Sequence, residues 1–143
     1  MNMAFGKYNG KPVAWVLIQD PSYFSWMRSQ GMTNRREYKF AVDLVSKLDE
    51  LPFVNVRCYG SKGCSNDVSR LTLYKGQFNG AYWFCDQCDP YSMGAISGVL
   101  SSVRTVASIM QHSQVGDIIK AMFKAKGGPE RKTEAALKNF FKY

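Results

Sequence analysis

Hydrophobic and polar positions in the first third of the chain recur with helical spacing. A short helix is predicted to begin at Asp20-Pro21, an N-cap followed by a proline that fits the first turn, and to stop at Gly31. A second helix is predicted behind Asn34 and Glu37, whose spacing is that of a capping box. Its apolar positions, which recur every three or four residues until Pro52, are Tyr38, Ala41, Val42, Val45 and Leu48.

The pattern beyond residue 52 is that of short strands. Three stretches, FVNVRC (53–58), RLTLYK (70–75) and AYWFC (81–85), are rich in β-branched and aromatic residues and are separated by glycine-rich turns. Helical spacing returns near Tyr91 and predicts a helix from the nineties to His112. Two more helices are predicted, one over 115–126 and one after Gly127-Gly128-Pro129.

These elements predict an α+β fold in a single domain, 1–143, since 143 residues is a usual domain size. Its expected parts are an N-terminal turn with helices (1–52), a zinc-ribbon-like β-hairpin module (53–90) and a basic helical region (91–143). Because 45% of the residues are apolar, the chain can bury a core, and wholesale disorder is excluded.

The charge of the chain is strongly positive. Nineteen Lys and Arg against eleven Asp and Glu leave a net +8, with a pI of about 9.4. Residues 99–143 hold eight basic and three acidic residues, a net of +5, which is the larger share. This balance favours a polyanionic partner, nucleic acid first and an anionic membrane second, although a basic protein that is merely soluble remains an alternative.

Several classes of protein are not expected. The longest apolar run, 12–18, is far shorter than the roughly 20 residues that span a bilayer, and MNMAFGKYNG does not resemble a secretory signal. We therefore expect an intracellular location, in the cytoplasm or nucleoid, or in the nucleus if the source is eukaryotic. His112 is the single histidine, and the sequence contains no phosphate-binding loop, four-carboxylate site or nucleophile elbow. We therefore expect that the protein is not an enzyme and has no catalytic residues.

Four cysteines form the main chemical motif. Five residues separate Cys58 from Cys64, two separate Cys85 from Cys88, and twenty lie between the pairs. Two close pairs in a reducing compartment favour a structural Zn²⁺ held by four thiolates, which leaves no position for a catalytic water. Buried free thiols and a redox or disulfide pair remain as alternatives.

The hairpin between the cysteine pairs combines aromatic rings with nearby cations. KGQFNGAYWFC, Lys75 to Cys85, resembles GRF-type zinc fingers and topoisomerase-type zinc ribbons, and this resemblance implies that aromatic rings stack on the bases of single-stranded DNA. Strand alternation places Tyr82 and Phe84 on one face and Trp83 on the other. We expect Trp83 to pack and Tyr82, with Lys75, to face nucleic acid. The alternative is that all five aromatics, Tyr74, Phe78, Tyr82, Trp83 and Phe84, belong to a core.

The N-terminal segment carries a second resemblance. Phe5-Gly6-Lys7-Tyr8, Gly10-Lys11, Asp20-Pro21-Ser22-Tyr23-Phe24 and Trp26-Met27 are similar to the C-terminal domain of exonuclease X-like proteins. The resemblance implies an accessory module attached to nucleic-acid enzymes, without a catalytic residue. Gly6 and Gly10 allow a tight turn that presents Lys7 and Lys11. That turn is either a basic surface for nucleic acid or a packing unit with solvated lysines.

The C-terminal helices combine apolar stripes with lysines. Either their apolar stripes pack in the core with the lysines in solvent, or the helices bind a nucleic acid or a partner protein; each of these is favoured over binding to a membrane. Terminal Phe140, Phe141 and Tyr143 are candidates to dock on a partner.

Taken with the cysteine motif, these patterns predict a non-catalytic, zinc-containing nucleic-acid-binding protein. We expect an accessory subunit of a replication, repair, recombination or defence complex that prefers single-stranded DNA or RNA. The alternative is a protein adaptor, or an inhibitor of a nucleic-acid enzyme such as a phage encodes, that binds through its aromatic, basic helices. The expected nucleic-acid contacts are Lys7, Lys11, Arg57, Lys62, Arg70, Lys75 and Tyr82.

Overall fold

The computed structural model describes residues 1–60, 64–74, 77–88 and 100–143. Within these ranges the chain forms five α-helices, one 3-10 turn and one three-stranded sheet. The elements in chain order are α1 Val13–Gln19, α2 Ser22–Ser29, α3 Arg36–Glu50, β1 Arg70–Tyr74, β2 Gln77–Phe84, β3 Leu100–Val103, the 3-10 turn Ala107–Ile109, α4 Val115–Ala125 and α5 Glu134–Phe141. The predicted mixture of helices with a small β-sheet is confirmed.

Helix α1 lies at the centre of the core. It packs against all four other helices, and its side chains at 13, 14, 16, 17 and 18 are completely buried. A helix that is apolar on every side is stable only when other elements surround it. The apolar run at 12–18 therefore forms a core helix, although the sequence pattern had not assigned it to helix or strand.

Two predicted helix starts differ in detail from the structure. Helix α2 begins at Ser22, because Asp20 closes α1 and Pro21 takes the N-cap position; Gly31 follows its end with φ +72°. The capping box predicted at Asn34 and Glu37 is wrong. Arg35 precedes α3 without a side-chain cap, and Glu37 is buried on the core side of the helix. Burial of that face of α3 outweighs the local capping preference.

Two stretches of the predicted secondary structure are wrong. Residues 53–58 form no strand, because Val54 and Asn55 donate their backbone N–H groups to the Ala125 carbonyl at the end of α4. The helix predicted to run to His112 is replaced after residue 100 by β3 and the 3-10 turn. Residues 89–99, which include Tyr91, lie outside the described part of the chain. The strand β3 owes its conformation to its pairing with β1, a partner distant in sequence.

The sheet has the order β2–β1–β3, with both pairs antiparallel. Leu71, Leu73 and Val103 project into the main core from the face of the sheet that packs on the helices. The opposite face carries Thr72, whose neighbour across the β1–β2 pair is Tyr82. This alternation sets which hairpin side chains are covered and which remain accessible.

The last two helices confirm the predicted C-terminal elements, but their aromatic rings turn inward. Phe123, Phe140 and Phe141 pack against one another, and Tyr143 packs edge-on against Phe40. The expectation that the terminal rings are free to dock on a partner is therefore wrong for Phe141, which is buried. No helix in the described part of the chain is both long enough and apolar enough to cross a membrane.

Lys126 departs from the expected pattern of solvated tail lysines. Its side chain is buried, its Nζ donates to the Leu48 carbonyl (2.9 Å) and the Asp49 carbonyl (3.3 Å), and it lies 4.7 Å from the centre of the Phe53 ring. A cation at the last carbonyls of α3 complements the negative end of the helix dipole. Burial lowers the pKa of Lys126, while Asp49 opposes that shift.

Candidate metal centre

The fold gathers the four cysteines at one end of the hairpin. Cys58 and Cys64 belong to the loop before β1, and Cys85 and Cys88 follow β2 directly. Their four Sγ atoms all lie within 4.8 Å of one another. Around them Phe84 completes a small apolar cluster, separate from the main core. The predicted juxtaposition of the two pairs is confirmed, and the four thiols are positioned to hold a metal ion.

The distances between the sulfurs exclude a disulfide in this structure. Cys64 Sγ lies 3.9 Å from Cys85 Sγ and 3.8 Å from Cys88 Sγ, whereas disulfide sulfurs lie about 2.05 Å apart. Four sulfurs placed tetrahedrally at about 2.3 Å from a metal are separated by about 3.8 Å. The four cysteines are free, and the two separations measured from Cys64 Sγ match that spacing.

Hydrogen-bond donors surround these sulfurs. Cys58 Sγ accepts from the backbone N–H groups of Gly60 (3.4 Å) and Cys85 (3.3 Å). Cys85 Sγ accepts from the backbone N–H of Cys88 (3.4 Å) and from the side-chain amide of Asn66 (3.7 Å). Donors directed at sulfur stabilise the thiolate, the form that binds metals, and they orient it. Sequence analysis missed Asn66; its position two residues after a cysteine was the available signal.

The thiols differ in acidity. Burial opposes ionisation of Cys85, but the donors from Cys88 and Asn66 outweigh it and lower the pKa of Cys85 to about 6. At Cys64 a backbone donor from Asn66 favours the thiolate, yet burial and the neighbouring thiols prevail and raise its pKa to about 11. A cation bound by all four sulfurs must therefore displace protons, which makes metal affinity depend on pH.

Gly60 allows two parts of the chain to approach closely at this site. A Cβ atom at position 60 would lie 2.3 Å from Cys88 Cβ and 2.6 Å from Cys88 Sγ. Gly60 and Gly63 both lie in the loop CYGSKGC, between the first two cysteines. Gly60 is not among the residues with positive φ, so the absence of a side chain, rather than a left-handed turn, is what the site requires there. Gly63 lies outside the described residues.

Ion pairs of Asp86 stabilise the turn between Cys85 and Cys88. The Asp86 carboxylate pairs with Arg70 and with Arg104 (3.0 Å), and it accepts a hydrogen bond from Ser69 (2.8 Å). Asp86 is thus more than a solvated surface acid. The Arg70 side chain is only 12% exposed. Its charge is paired with Asp86 in the turn between Cys85 and Cys88, and its role as a nucleic-acid contact stays a prediction.

Two exposed tyrosines lie beside the four cysteines. The rings of Tyr59 and Tyr82 contact each other at an interplanar angle of 32°, with centroids 4.5 Å apart, and they are 66% and 45% exposed. Phe84 meets Tyr59 edge-on, whereas Trp83 points to the other side of the strand and packs against Phe53. The predicted alternation is confirmed: Trp83 is packed and Tyr82 accessible. Sequence analysis missed Tyr59, although its place directly after Cys58 was the available signal.

The remaining predicted contacts fall into three groups. Arg57 is exposed and precedes Cys58 and Tyr59. Lys7 and Lys11 are exposed in the N-terminal loop, a different part of the fold. Lys62 and Lys75 lie outside the described residues, as do the side chains of Tyr74 and Phe78.

The N-terminal loop is held by its own network. The Met3 N–H donates to the Lys11 carbonyl (2.8 Å), and the Tyr8 hydroxyl donates to Asp20 Oδ2 (2.7 Å). Lys7 lies 5.1 Å from the centre of the Tyr8 ring, and Lys11 lies 5.4 Å from the Trp15 ring. Burial alone would raise the pKa of Asp20, but hydrogen bonds from Ser22 and Tyr8 and the charge of Lys7 lower it. The loop therefore holds its two exposed lysines against the rings of Tyr8 and Trp15.

Comparison with known proteins bears on this same N-terminal segment. Residues 3–29 match the family described as exodeoxyribonuclease X-like C-terminal. The resemblance seen in the sequence is confirmed over that segment. Neither the curated proteins nor the solved structures contain a match to this chain.

Proposed function

We propose that Cys58, Cys64, Cys85 and Cys88 bind one structural Zn²⁺. The support is the donor set: four thiols whose sulfurs all lie within 4.8 Å of one another, with Cys64 Sγ 3.9 Å from Cys85 Sγ and 3.8 Å from Cys88 Sγ, suit a soft tetrahedral cation. Such an ion would cross-link the loop before β1 to the turn after β2, in a module with little core of its own. Protein purified without added zinc should contain about one Zn per chain; four titratable thiols in metal-free folded protein would contradict the proposal.

We further propose that the chain is a non-catalytic accessory protein that binds single-stranded nucleic acid through the face of its zinc hairpin. The accessible pair Tyr59–Tyr82 carries this proposal. Two solvent-exposed rings in contact, next to an exposed arginine, Arg57, combine a surface for bases with a charge for phosphates. Each base stacked on an aromatic ring contributes about 1–3 kcal/mol to affinity.

Charge and the family match support the same function. A net charge of +8 attracts polyanions over a distance. Residues 3–29 match the exodeoxyribonuclease X-like C-terminal family, whose name refers to a nucleic-acid enzyme. Lys7 and Lys11 are proposed as further phosphate contacts. Lys62 and Lys75 remain predicted contacts in the same role. A four-thiolate site offers no open coordination position, so the proposed Zn²⁺ is structural rather than catalytic. We propose an accessory role for the chain inside an intracellular nucleic-acid complex.

The stacking role is tested with a fluorescent oligo(dT) in an anisotropy titration. Tyr59→Ala and Tyr82→Ala should each weaken binding by roughly fivefold to a hundredfold, while zinc content stays at the wild-type level. Tyr82→Phe is the matched control, because it keeps the ring and removes only the hydroxyl; its affinity should be unchanged. Wild-type affinity in both alanine variants would show that the hairpin face does not bind the strand.

The phosphate contact of Arg57 is tested through salt dependence. For single strands the slope of log K against log salt is about −0.7 per phosphate neutralised, so Arg57→Ala should flatten the slope by about that amount. Lys138→Ala, which removes an exposed charge from α5, is the control and should leave the slope unchanged. A flatter slope only in the Lys138 variant would place the contact on the C-terminal helices instead.

A further inference from the structure

An apolar groove lies away from the cysteines, between α2, α3 and the segment that contains the 3-10 turn. It encloses about 180 Å³. Its buried lining consists of Leu17, Phe24, Ala41 and Val45. The groove is thus an opening into the main core of the protein, bordered by three separate elements.

The neighbouring elements cover only part of the apolar stripe of α3. Among the five positions that predict this stripe, Val42 is 50% exposed and lines the groove, while Ala41, Val45 and Leu48 are buried. The third wall is fixed in place, because Asp49 accepts hydrogen bonds from the backbone N–H groups of Val106 (2.7 Å) and Ala107 (3.1 Å). The groove is therefore formed before any ligand arrives.

The volume of the groove limits what can occupy it. An apolar cavity of about 150 Å³ accepts a benzene ring, whereas pockets for drug-sized ligands begin near 300 Å³. At about 180 Å³ the groove has room for one aromatic side chain and not for a nucleotide or a large cofactor. An occupant of that size gains sufficient affinity only if it belongs to a larger molecule that also contacts the surface around the opening.

The charge beside the groove indicates what accompanies that ring. The Arg28 side chain lines the groove, is exposed, and makes no hydrogen bond or ion pair within the described ranges 1–60, 64–74, 77–88 and 100–143. The acidic residue next to Val42, Asp43, is paired with Lys47 (3.4 Å). A guanidinium at the edge of an apolar pocket pairs well with a carboxylate, because its planar donors match the two carboxylate oxygens.

We propose that this groove binds a partner protein by taking one aromatic side chain of the partner, with an adjacent carboxylate paired to Arg28. The ring lies against Phe24 and Val42. The site is independent of the metal centre and of the nucleic-acid function proposed for the hairpin. It gives the chain a way to join a larger complex through α2 and α3, whereas at the C-terminus Phe141 is buried and Phe140 and Tyr143 are half-buried.

The full-length protein is titrated against a fluorescein-labelled peptide, Gly-Ser-Gly-Asp-Asp-Leu-Phe, with a free carboxyl terminus. Saturable binding is expected. A peptide with Ala in place of Phe should bind at least tenfold more weakly, as should the protein variant Val42→Glu, which places a like charge at the groove. Arg28→Ala should weaken binding about threefold to tenfold. Arg36→Ala, which removes an exposed arginine outside the groove, should bind as the wild type does.

Each of the following outcomes would overturn the proposal: no saturable binding, equal binding of the Phe and Ala peptides, or equal effects of the Arg28 and Arg36 substitutions. Free N-acetylphenylalanine serves as a further probe; if it binds as tightly as the peptide, the groove is a small-molecule site instead. Oligo(dT) binding by Val42→Glu should equal that of the wild type. Failure of the groove and failure of the hairpin as a nucleic-acid surface are thereby measured separately.

Discussion

Replacing Gly60 by alanine tests whether the close approach of two chain segments creates the metal centre. The added Cβ would lie 2.3 Å from Cys88 Cβ, whereas ordinary carbon contacts begin near 3.4 Å. The loop and the turn after β2 must therefore separate by about 1 Å, several times the roughly 0.2 Å by which metal–ligand distances vary in well-formed sites. The atoms in conflict are close to the backbone and belong to a ligand, so no flexible side chain can absorb the displacement.

We expect Gly60→Ala to lower metal affinity at least tenfold. Overpacking of a tight site costs about 1–3 kcal/mol, and here the displacement also moves a ligand sulfur. Affinity is measured by competition with a chromogenic chelator, and metal content by mass spectrometry of the purified protein. In the metal-free protein the loop can relax, so Gly60→Ala should there have the same melting temperature as the wild type. Thermal unfolding of both proteins with and without chelator measures this difference.

Gly116→Ala is the matched control. Gly116 lies in α4, and a Cβ atom there would meet nothing within 4 Å. Alanine is favoured over glycine inside a helix by about 1 kcal/mol, so this variant should be slightly more stable and should hold the metal normally. Wild-type metal affinity in Gly60→Ala would refute the reasoning, because the four sulfurs would then tolerate a separation that the geometry forbids.

Three further predictions concern stability. Trp83→Ala should lower the free energy of unfolding by roughly 3 kcal/mol, while Tyr82→Ala changes it by under about 1 kcal/mol; equal losses in urea titrations would contradict the assigned faces. The pKa of Asp20 is lowered in the folded state, so its stabilising effect is present above the ordinary value of 3.8 and is lost as pH falls through the lower folded value. Asp20→Asn should therefore make acid unfolding less steep, and an unchanged pH profile would count against the network. Lys126→Ala should cost about 1–3 kcal/mol, since it leaves buried carbonyls at the end of α3 without a donor; an unchanged melting temperature would show that water replaces the lysine.

Local patterns predicted much of the candidate site. The two cysteine pairs, the strand alternation that separates Tyr82 from Trp83, and the hairpin strands themselves follow from spacing and from the period of two along a strand. The partners of those residues were not predictable. Tyr59 becomes part of the aromatic face only because the loop before β1 turns back onto β2, where the Tyr59 N–H donates to the Trp83 carbonyl (2.8 Å).

Helices α3, α4 and α5, the β1–β2 hairpin and the pairing of the cysteines were predictable, because periodicity and cysteine spacing depend on residues close together in the chain. Features that depend on distant partners were not predictable and follow from how the segments pack. This packing made 100–103 a strand on β1, buried Lys126 at the end of α3, and left Val42 at an open groove. In each case the same local pattern is compatible with two environments. Which one a side chain meets depends on packing between segments far apart in the chain, where burial and hydrogen bonding outweigh local preference.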